Sequence, residues 1–196
     1  METGPDALVS AARLGDQAAW RRLYELHAGR LVVWLRWLPN GDAASSPEDV
    51  ASHAWLTAAS KMQDFEGSDD DFGGWLFGIA RRHAANEYRR GQRRQTRPGE
   101  VEHVETAMFS KATDEIGRVD ERDATRRLIA QLSDREAQVV VCIDVVGMDV
   151  DSTAAALGMR PTAVRVARHR ALKRLRKLLS GQQQSETLSA AADTSG

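Results

Sequence analysis

Residues 160–177 read RPTAVRVARHRALKRLRK and predict a helix with two different faces. A proline is tolerated in the first helical turn, where Pro161 stands, and Thr162 can cap backbone donors nearby. The apolar face consists of Val164, Ala167, Ala171, Leu172, Leu175, Leu178 and Leu179. The opposite face has no acid and consists of Arg165, Val166, His169, Arg170, Lys173 and Arg176. Because solvated helices usually mix both signs of charge, the pattern favours a helix laid against nucleic acid over a plain surface helix.

The residues before this helix predict a helix-turn-helix. Ser133 and Glu136 have the spacing of a capping box and begin one helix. The apolar run from Val139 ends at Gly147, and a shorter helix follows and ends at Gly158. In such an arrangement the last helix enters the major groove of DNA.

Charge is strongly segregated along the 196 residues, although the net charge is only -1. Residues 81–97 contain seven arginines and one acid, residues 160–177 contain eight basic residues and no acid, and residues 64–71 contain five acids and no base. This segregation favours an electrostatic partner over an enzyme with a balanced surface.

The cysteine content and the apolar runs indicate a soluble, cytoplasmic protein. Cys142 is the single cysteine, so a disulfide framework is excluded, and a buried small side chain is favoured over a redox sensor. No apolar run approaches the ~18 residues that span a bilayer, and the N-terminus lacks a signal pattern.

Four helices are predicted in the first half of the chain. The first spans residues 6–14 and ends at Gly15, and the second begins at the N-cap Asp16 and carries an apolar stripe that includes Tyr24 and the core histidine His27. The third begins at Ser46, with a proline and two acids in its first turn. An acidic loop with two aromatics, residues 63–72, leads into a fourth helix.

The fourth helix runs from Trp75 into Tyr88 and continues as an arginine-rich segment. Cations suit phosphates and aromatic rings suit bases, so this combination is typical of contact with a single strand or a phosphate-rich partner.

The predicted fold class is all-α, with two helical domains joined by a flexible linker and followed by a disordered tail. The first domain covers residues 6–96, the acid-rich linker residues 97–123, the second domain residues 124–180 and the tail residues 181–196.

No catalytic constellation is found in the sequence. The five histidines lack metal-binding spacing with cysteines or carboxylates, and there is no phosphate-binding glycine loop. We therefore expect no enzymatic activity, no metal and no cofactor.

Two separated sets of residues resemble the sigma-70 family of RNA polymerase sigma factors, in its extracytoplasmic-function (ECF) group. The first set is SPEDVASHAWL at residues 46–56 with FGGWLFGIARRHAANEYRR at residues 72–90, similar to the second conserved region. The second set runs from LSDRE at residues 132–136 to RVARHRAL at residues 165–172, similar to the fourth region. The fourth region alone also resembles the helix-turn-helix of response regulators.

The resemblance implies a bacterial specificity subunit that binds core RNA polymerase, through the beta-prime coiled coil and the beta flap, and promoter DNA. The implied polymerase contacts are Asp49, Ser52, His53, Trp55 and Leu56. The implied minus-ten contacts, which would hold a flipped base and its strand, are Phe65, Phe72, His83, Asn86, Glu87, Arg89 and Arg90. The implied minus-thirty-five contacts are Arg165, Val166, His169, Arg170 and Lys173.

The chain departs from the family pattern at three places. Ser52 and His53 replace the usual glutamine and acid, and Ser133 replaces a proline that often opens the fourth region. Arg168 replaces a common aliphatic residue, and two alternatives are open for it: contact with DNA phosphates, or a pair with an acid of the preceding helices.

The resemblance also implies an anti-sigma factor as a partner, often one that holds the factor at the membrane. The alternative function is a helix-turn-helix regulator that binds duplex operators and is not a polymerase subunit. The first domain distinguishes the two, because such a regulator has no use for an aromatic acidic loop and the arginine-rich fourth helix.

Overall fold

A computed structural model describes residues 7–38, 45–95 and 121–193, with side chains for residues 7–38, 45–91 and 124–180. Within these ranges every regular element is helical, which confirms the all-α prediction. The predicted linker falls almost entirely outside the described residues.

Four helices form the first domain: α1 (Ala7–Arg13), α2 (Gln17–Leu35), α3 (Pro47–Lys61) and α4 (Asp69–Gln95). A single 3₁₀ turn, Met62–Asp64, follows α3. The core is formed by the stripe of α2, with Leu23, Leu31 and Trp34 fully buried, and by Leu76 and Phe77 of α4. The rings of Trp34 and Phe77 lie 5.3 Å apart.

The helix starts follow the local signals in the sequence. The carboxylate of Asp16 accepts a hydrogen bond from the backbone N–H of Ala19 at 2.8 Å. A capping box begins α3 at Ser46, and a second begins the helix Asp134–Val140 of the other domain at Ser133. Each cap satisfies backbone donors that a helix start leaves unpaired.

The second domain contains α5 (Glu121–Ile129), α6 (Asp134–Val140), a π-helical turn (Val141–Val145), α7 (Val150–Leu157) and α8 (Pro161–Asp193). Gly147 has φ +76° and Gly158 has φ +63°, so the two turns use the left-handed conformation that glycine adopts without strain. The helix-turn-helix prediction is confirmed.

Two helices extend beyond the predicted bounds of the second domain. Helix α5 begins at Glu121, inside the predicted linker, and α8 continues past Gly181 to Asp193, inside the predicted tail. The tail contains three glutamines and three alanines, which allow an existing helix to continue.

The acidic loop is shorter than predicted because its acids begin α4. Ser68 and Asp71 cap each other: the Asp71 carboxylate accepts from the Ser68 N–H at 2.9 Å, and the Ser68 hydroxyl accepts from the Asp71 N–H at 3.3 Å. Three successive aspartates at the start of α4 also match the positive end of the helix dipole. Only residues 65–68 remain outside a helix between Asp64 and Asp69.

The two domains pack directly on each other, and their buried apolar residues form one continuous core. The main contact is between α4 of the first domain and α7 of the second. Sequence periodicity identified the apolar faces but gave no indication of this pairing.

Candidate nucleic-acid interface

Helix α8 presents the predicted basic face to solvent. Val164 and Ala171 are fully buried and Ala167 is buried against α6 and α7, so the opposite face of the helix is held on the domain. Five residues implied in minus-thirty-five contact are all exposed: Arg165, Val166, His169, Arg170 and Lys173. Val166 is 49% exposed, an apolar side chain within a cationic surface. The predicted apolar face ends earlier than expected, because Leu179 is exposed.

Arg168 does not belong to this exposed face. Its guanidinium donates two hydrogen bonds to the Asp144 carboxylate, at 3.1 Å from Nε and 2.5 Å from the terminal nitrogen. These hydrogen bonds raise the pKa of Arg168 above its usual value. Of the two alternatives for this residue, the pair with an acid of the preceding helices is the one observed.

A second cation of α8 is also paired within the domain. Arg174 lies 3.1 Å from the carboxylate of Glu136, which accepts from Ser133 in the capping box. The carboxylate is desolvated, yet its hydrogen bonds with Ser133 and the nearby arginines leave the pKa of Glu136 below its usual value. The two paired arginines fix α8 on α6 and the π-helical turn and leave the other cations of its outer face available.

Helix α3 exposes most of the residues implied in polymerase binding. Ser52, His53 and Leu56 are exposed, and Leu56 has 68% of its surface in solvent. One oxygen of the Asp49 carboxylate accepts from the N–H and hydroxyl of Ser46, and these bonds lower the pKa of Asp49. Trp55 is partly buried.

Tyr24 was predicted to face the core, and this is wrong. Its ring is 56% exposed and lies 5.1 Å from the ring of Trp55. Together Tyr24, Trp55 and Leu56 provide exposed apolar and aromatic surface on α2 and α3. We call these three residues the α2–α3 apolar patch.

Both aromatics of the acidic loop are buried. Phe72 has no exposed surface and Phe65 is 6% exposed. Phe65 stacks on Trp75 with ring centroids 4.5 Å apart, and Phe72 contacts Phe65, Trp75 and His27. In this conformation the ring of Phe72 completes the core under the loop, and contact of Phe65 or Phe72 with a DNA base stays a prediction.

Helix α1 anchors the same loop, which the sequence did not indicate. The Asp69 carboxylate accepts from the N–H groups of Leu8 at 3.0 Å and Val9 at 2.7 Å. Arg13 donates to the carbonyl of Phe65, and the Gln63 amide donates to the carbonyl of Arg13 at 2.7 Å. One aspartate thus satisfies two donors at the start of α1 and holds the loop in place.

The C-terminal half of α4 carries the remaining implied minus-ten contacts. Asn86 and Arg90 are exposed, and His83, Glu87 and Arg89 are partly exposed. Arg90 lies 2.9 Å from the Glu87 carboxylate, and Arg89 donates to the amide oxygen of Asn86 at 3.2 Å. These pairs orient the side chains along one side of the helix.

His83 joins this helix to α3. Its Nε2 lies 2.9 Å from the hydroxyl of Thr57, and its ring lies 6.3 Å from that of His53. Burial is the main cause that lowers the pKa of His83, with further contributions from His53 and Arg82. A neutral His83 therefore predominates at neutral pH.

The described part of the chain offers neither a metal site nor a membrane-spanning helix. No group of three or more histidine, cysteine, aspartate or glutamate side chains there is arranged to hold a metal ion. Among the helices so described, none is long and apolar enough to cross a membrane.

Comparison with protein families gives a match to each half of the chain. The family described as Sigma-70 region 2 matches residues 23–94, and Sigma-70, region 4 matches residues 122–175. The chain is similar to the ECF RNA polymerase sigma factors SigD of Mycobacterium tuberculosis (30% identity over 87% of this chain and 82% of SigD) and ShbA of Streptomyces griseus (32% over 88% and 93%). It is 27% identical to BldN of Streptomyces coelicolor and spans 64% of that longer protein.

Two solved structures share the fold. CnrH in complex with the cytosolic domain of CnrY aligns with a TM-score of 0.59 and 25% identity, over 89% of this chain and 96% of that one. The sigma factor RpoE of Bartonella quintana, in complex with the anti-sigma factor NepR, aligns with a TM-score of 0.57 and 22% identity over 82% and 96%, and this supports the fold alone. With both conserved regions matched in order and relatives of 30% identity or more along most of their length, the chain belongs to the sigma-70 family, in its ECF group.

Proposed function

We propose that this chain binds core RNA polymerase and directs promoter-specific initiation, with α8 reading the minus-thirty-five element and the first domain holding a strand of the minus-ten element. The observation that carries the proposal is the exposed basic face of α8, directly after a glycine-ended helix of a helix-turn-helix. An arginine fork can pair with guanine in the major groove, and Val166 can pack on a thymine methyl.

Minus-ten capture is proposed for the surface formed by the loop and the outer side of α4. Extruding a base costs a few kcal/mol, and a pocket and cations that bind the released strand offset that cost without ATP. Because Phe65 and Phe72 are buried, we assign them to the support of the loop and assign strand contact to Asn86, Arg89 and Arg90.

Polymerase docking is proposed for the α2–α3 apolar patch and the adjacent outer face of α3. A leucine that is 68% exposed and two aromatic rings are the kind of residues that anchor a protein interface. Asp49 contributes by starting α3, because its carboxylate is used in the cap. The coiled coil of the beta-prime subunit is the proposed partner surface.

An anti-sigma factor is proposed as the regulator. The structures of CnrH with CnrY and of RpoE with NepR are both complexes of this kind of fold with a second protein, NepR being an anti-sigma factor. The exposed faces of α3 and α8 are the surfaces such a partner would need to cover.

Transcription by core RNA polymerase with and without this protein, on a pool of genomic promoters, tests the proposal. We expect the protein to confer initiation at a defined promoter set, and core enzyme that gains no specificity would refute the proposal. If the protein instead binds duplex operators and leaves core enzyme unchanged, the helix-turn-helix regulator is correct.

Matched variants test the two surfaces separately. Arg165→Ala and Arg170→Ala should lose about 1 to 3 kcal/mol of discrimination at the minus-thirty-five element while core binding persists, and Lys177→Ala is the control on the same helix. Leu56→Asp should weaken core binding, and Ala18→Asp places the same charge on an exposed position of α2 outside the patch. If either control variant had the same effect as the variant it is matched with, the assignment of the two surfaces would be contradicted.

A further inference from the structure

We propose that Thr57 of α3 is a positioning residue for His83, and that it holds the ring so that His83 takes up a proton when a single DNA strand binds along α4. The affinity for the strand therefore rises as the pH falls. The identity of the ligand rests on the proposed function, whereas the arrangement of Thr57 and His83 does not.

The hydroxyl of Thr57 fixes the tautomer of His83. This hydroxyl lies 2.9 Å from the backbone carbonyl of His53, one turn earlier in α3, and 2.9 Å from Nε2 of His83. A carbonyl only accepts, and a hydroxyl has one proton to donate. Both contacts are hydrogen bonds only if Thr57 donates to the carbonyl and accepts from a protonated Nε2. The neutral ring of His83 therefore carries its proton on Nε2 and a lone pair on Nδ1.

The Nδ1 atom of His83 is open to solvent. It makes no hydrogen bond with the described residues, and it is not one of the sealed polar atoms that lack a partner in those ranges, unlike Nδ1 of His27. His83 is partly exposed, and Asn86 and Arg90 follow it three and seven residues later, on the same side of α4. The ring therefore lies on the side of the helix that carries two of the proposed strand contacts.

The charged groups that act on His83 come from the two helices that meet at its ring. Burial is the main cause that lowers the pKa of His83, and the nearby His53 of α3 and Arg82 of α4 lower it further. Glu87 of α4 acts in the opposite direction and raises this pKa. The carboxylate of Glu87 is itself paired with Arg90 at 2.9 Å, so part of its charge is offset. The ring of the free protein is therefore neutral near neutral pH.

A bound phosphate changes this balance of charge. An anion beside an imidazole favours the charged ring, and a protonated Nδ1 donates a charge-assisted hydrogen bond to a phosphate oxygen. Nε2 of His83 donates to Thr57 in both protonation states, so the uptake of a proton from solvent does not break that bond. Only Nδ1 changes, from an acceptor in the free protein to a donor in the complex.

The direction of the pH dependence follows from the pKa of His83 in the two states. At a pH above both values the ring is neutral with and without the strand, and the affinity is constant. As the pH falls through the higher pKa of the bound ring, binding takes up a proton, and the affinity rises by at most about tenfold per pH unit. The rise ends below the pKa of the free ring, which burial and the neighbouring cations hold under the usual value for histidine.

Nitrogen-15 NMR of the imidazole rings in the full chain tests the arrangement without DNA. At neutral pH we expect the proton of His83 on Nε2, both in the parent protein and in Thr57→Ser, which keeps the hydroxyl. Thr57→Val removes the acceptor at nearly the same volume and should lower the pKa of His83 further, because the charged ring loses a hydrogen-bond partner. A proton on Nδ1 in the parent protein, or the same pKa in both variants, would overturn the positioning role.

Binding of a fluorescein-labelled single strand of about twelve thymidines, from about pH 8 to 5.5 at constant salt, tests the proton uptake. A His169→Gln background removes the histidine of the α8 face. We expect the affinity to rise roughly three- to tenfold as the pH falls over this range. His83→Gln keeps an N–H donor for Thr57 but cannot titrate, so its affinity should not change with pH. The same rise in His83→Gln, or no binding by the parent protein at any pH, would overturn the inference.

His53→Gln locates the proton that is taken up. It removes a neighbour that lowers the pKa of His83, so the rise in affinity should persist and begin at a higher pH. Loss of the rise in His53→Gln would mean that His53 binds the proton, and the inference would be wrong. Strand affinity that rises with falling pH, without promoter-specific transcription by core polymerase, would refute the proposed function alone. Promoter-specific transcription with strand binding independent of pH would refute this inference alone.

Discussion

Replacing Arg168 separates a role in folding from a role in DNA binding. The guanidinium and the Asp144 carboxylate form a two-point pair, with side chains 41% and 28% exposed. A bidentate pair is stronger than a single contact, but partial exposure to solvent screens it. We therefore expect the interaction between Arg168 and Asp144 to contribute about 1 kcal/mol to the free energy of unfolding. Arg168→Ala and Asp144→Ala should each destabilise the protein by a similar amount.

Urea unfolding of the two single variants, the double variant and the parent protein measures this coupling through a double-mutant cycle. The double variant should be less destabilised than the sum of the single variants, by about 1 kcal/mol. Repeating the cycle in 1 M salt should reduce the coupling, since the pair is partly exposed to screening ions.

Salt dependence of duplex binding gives the second measurement. Arg168→Ala should leave the slope of log affinity against log salt unchanged, whereas Lys173→Ala should reduce it by about 1 if that lysine contacts a phosphate. A zero coupling energy together with a reduced salt slope for Arg168→Ala would refute the structural role and show that Arg168 contacts DNA.

Three further predictions concern the first domain. The pKa of His27 is lowered from 6.5 to about 4, mainly by burial, so the folded state favours the neutral ring. The free energy of unfolding should therefore fall by about 2 kcal/mol as the pH falls from 6.5 towards 4. In urea unfolding, His27→Gln should lose less stability over that range, and a pH profile identical to that of the parent protein would contradict the role of His27. Phe72→Ala should destabilise the protein by about 3 to 5 kcal/mol, because it removes a fully buried ring and leaves a cavity. Thermal or urea unfolding measures this change, and a loss of stability under about 1 kcal/mol would mean that the ring is not part of the core. Asp69→Ala should lower the free energy of unfolding by about 1 to 2 kcal/mol, because the amides of Leu8 and Val9 lose the carboxylate that accepts from them. Hydrogen exchange at these two amides should become faster, and unchanged exchange would exclude the cap.

The local signals in the sequence predicted most helix ends correctly. Asp16, Ser46 and Ser133 cap the helices that they were expected to cap, and Gly158 ends α7 in the left-handed conformation. These signals work because the interacting groups are three or four residues apart, so their geometry is nearly independent of the rest of the chain. The same locality explains why the basic and apolar faces of α8 could be assigned.

The acidic loop shows where such signals become ambiguous. A cluster of acids with glycine and serine is typical of a loop, but the same residues at a helix start cap the backbone and complement the dipole. Here Ser68 and Asp71 act as a cap, and Asp69 caps a different helix, α1. The aromatic ring of Phe72 could not be assigned from its sequence context either, because burial depends on which helices meet above it.

By itself the sequence determined the all-α class, the order of the helices, the helix-turn-helix and the family. Only the tertiary structure decided the partner of Arg168, which is 24 residues away, and the contacts of Arg30, which are more than a hundred residues away. It also decided that α7 covers Gly74. Periodicity shows which face of a helix is buried but not what covers that face, because the covering surface is chosen by shape and charge complementarity between segments distant in the chain.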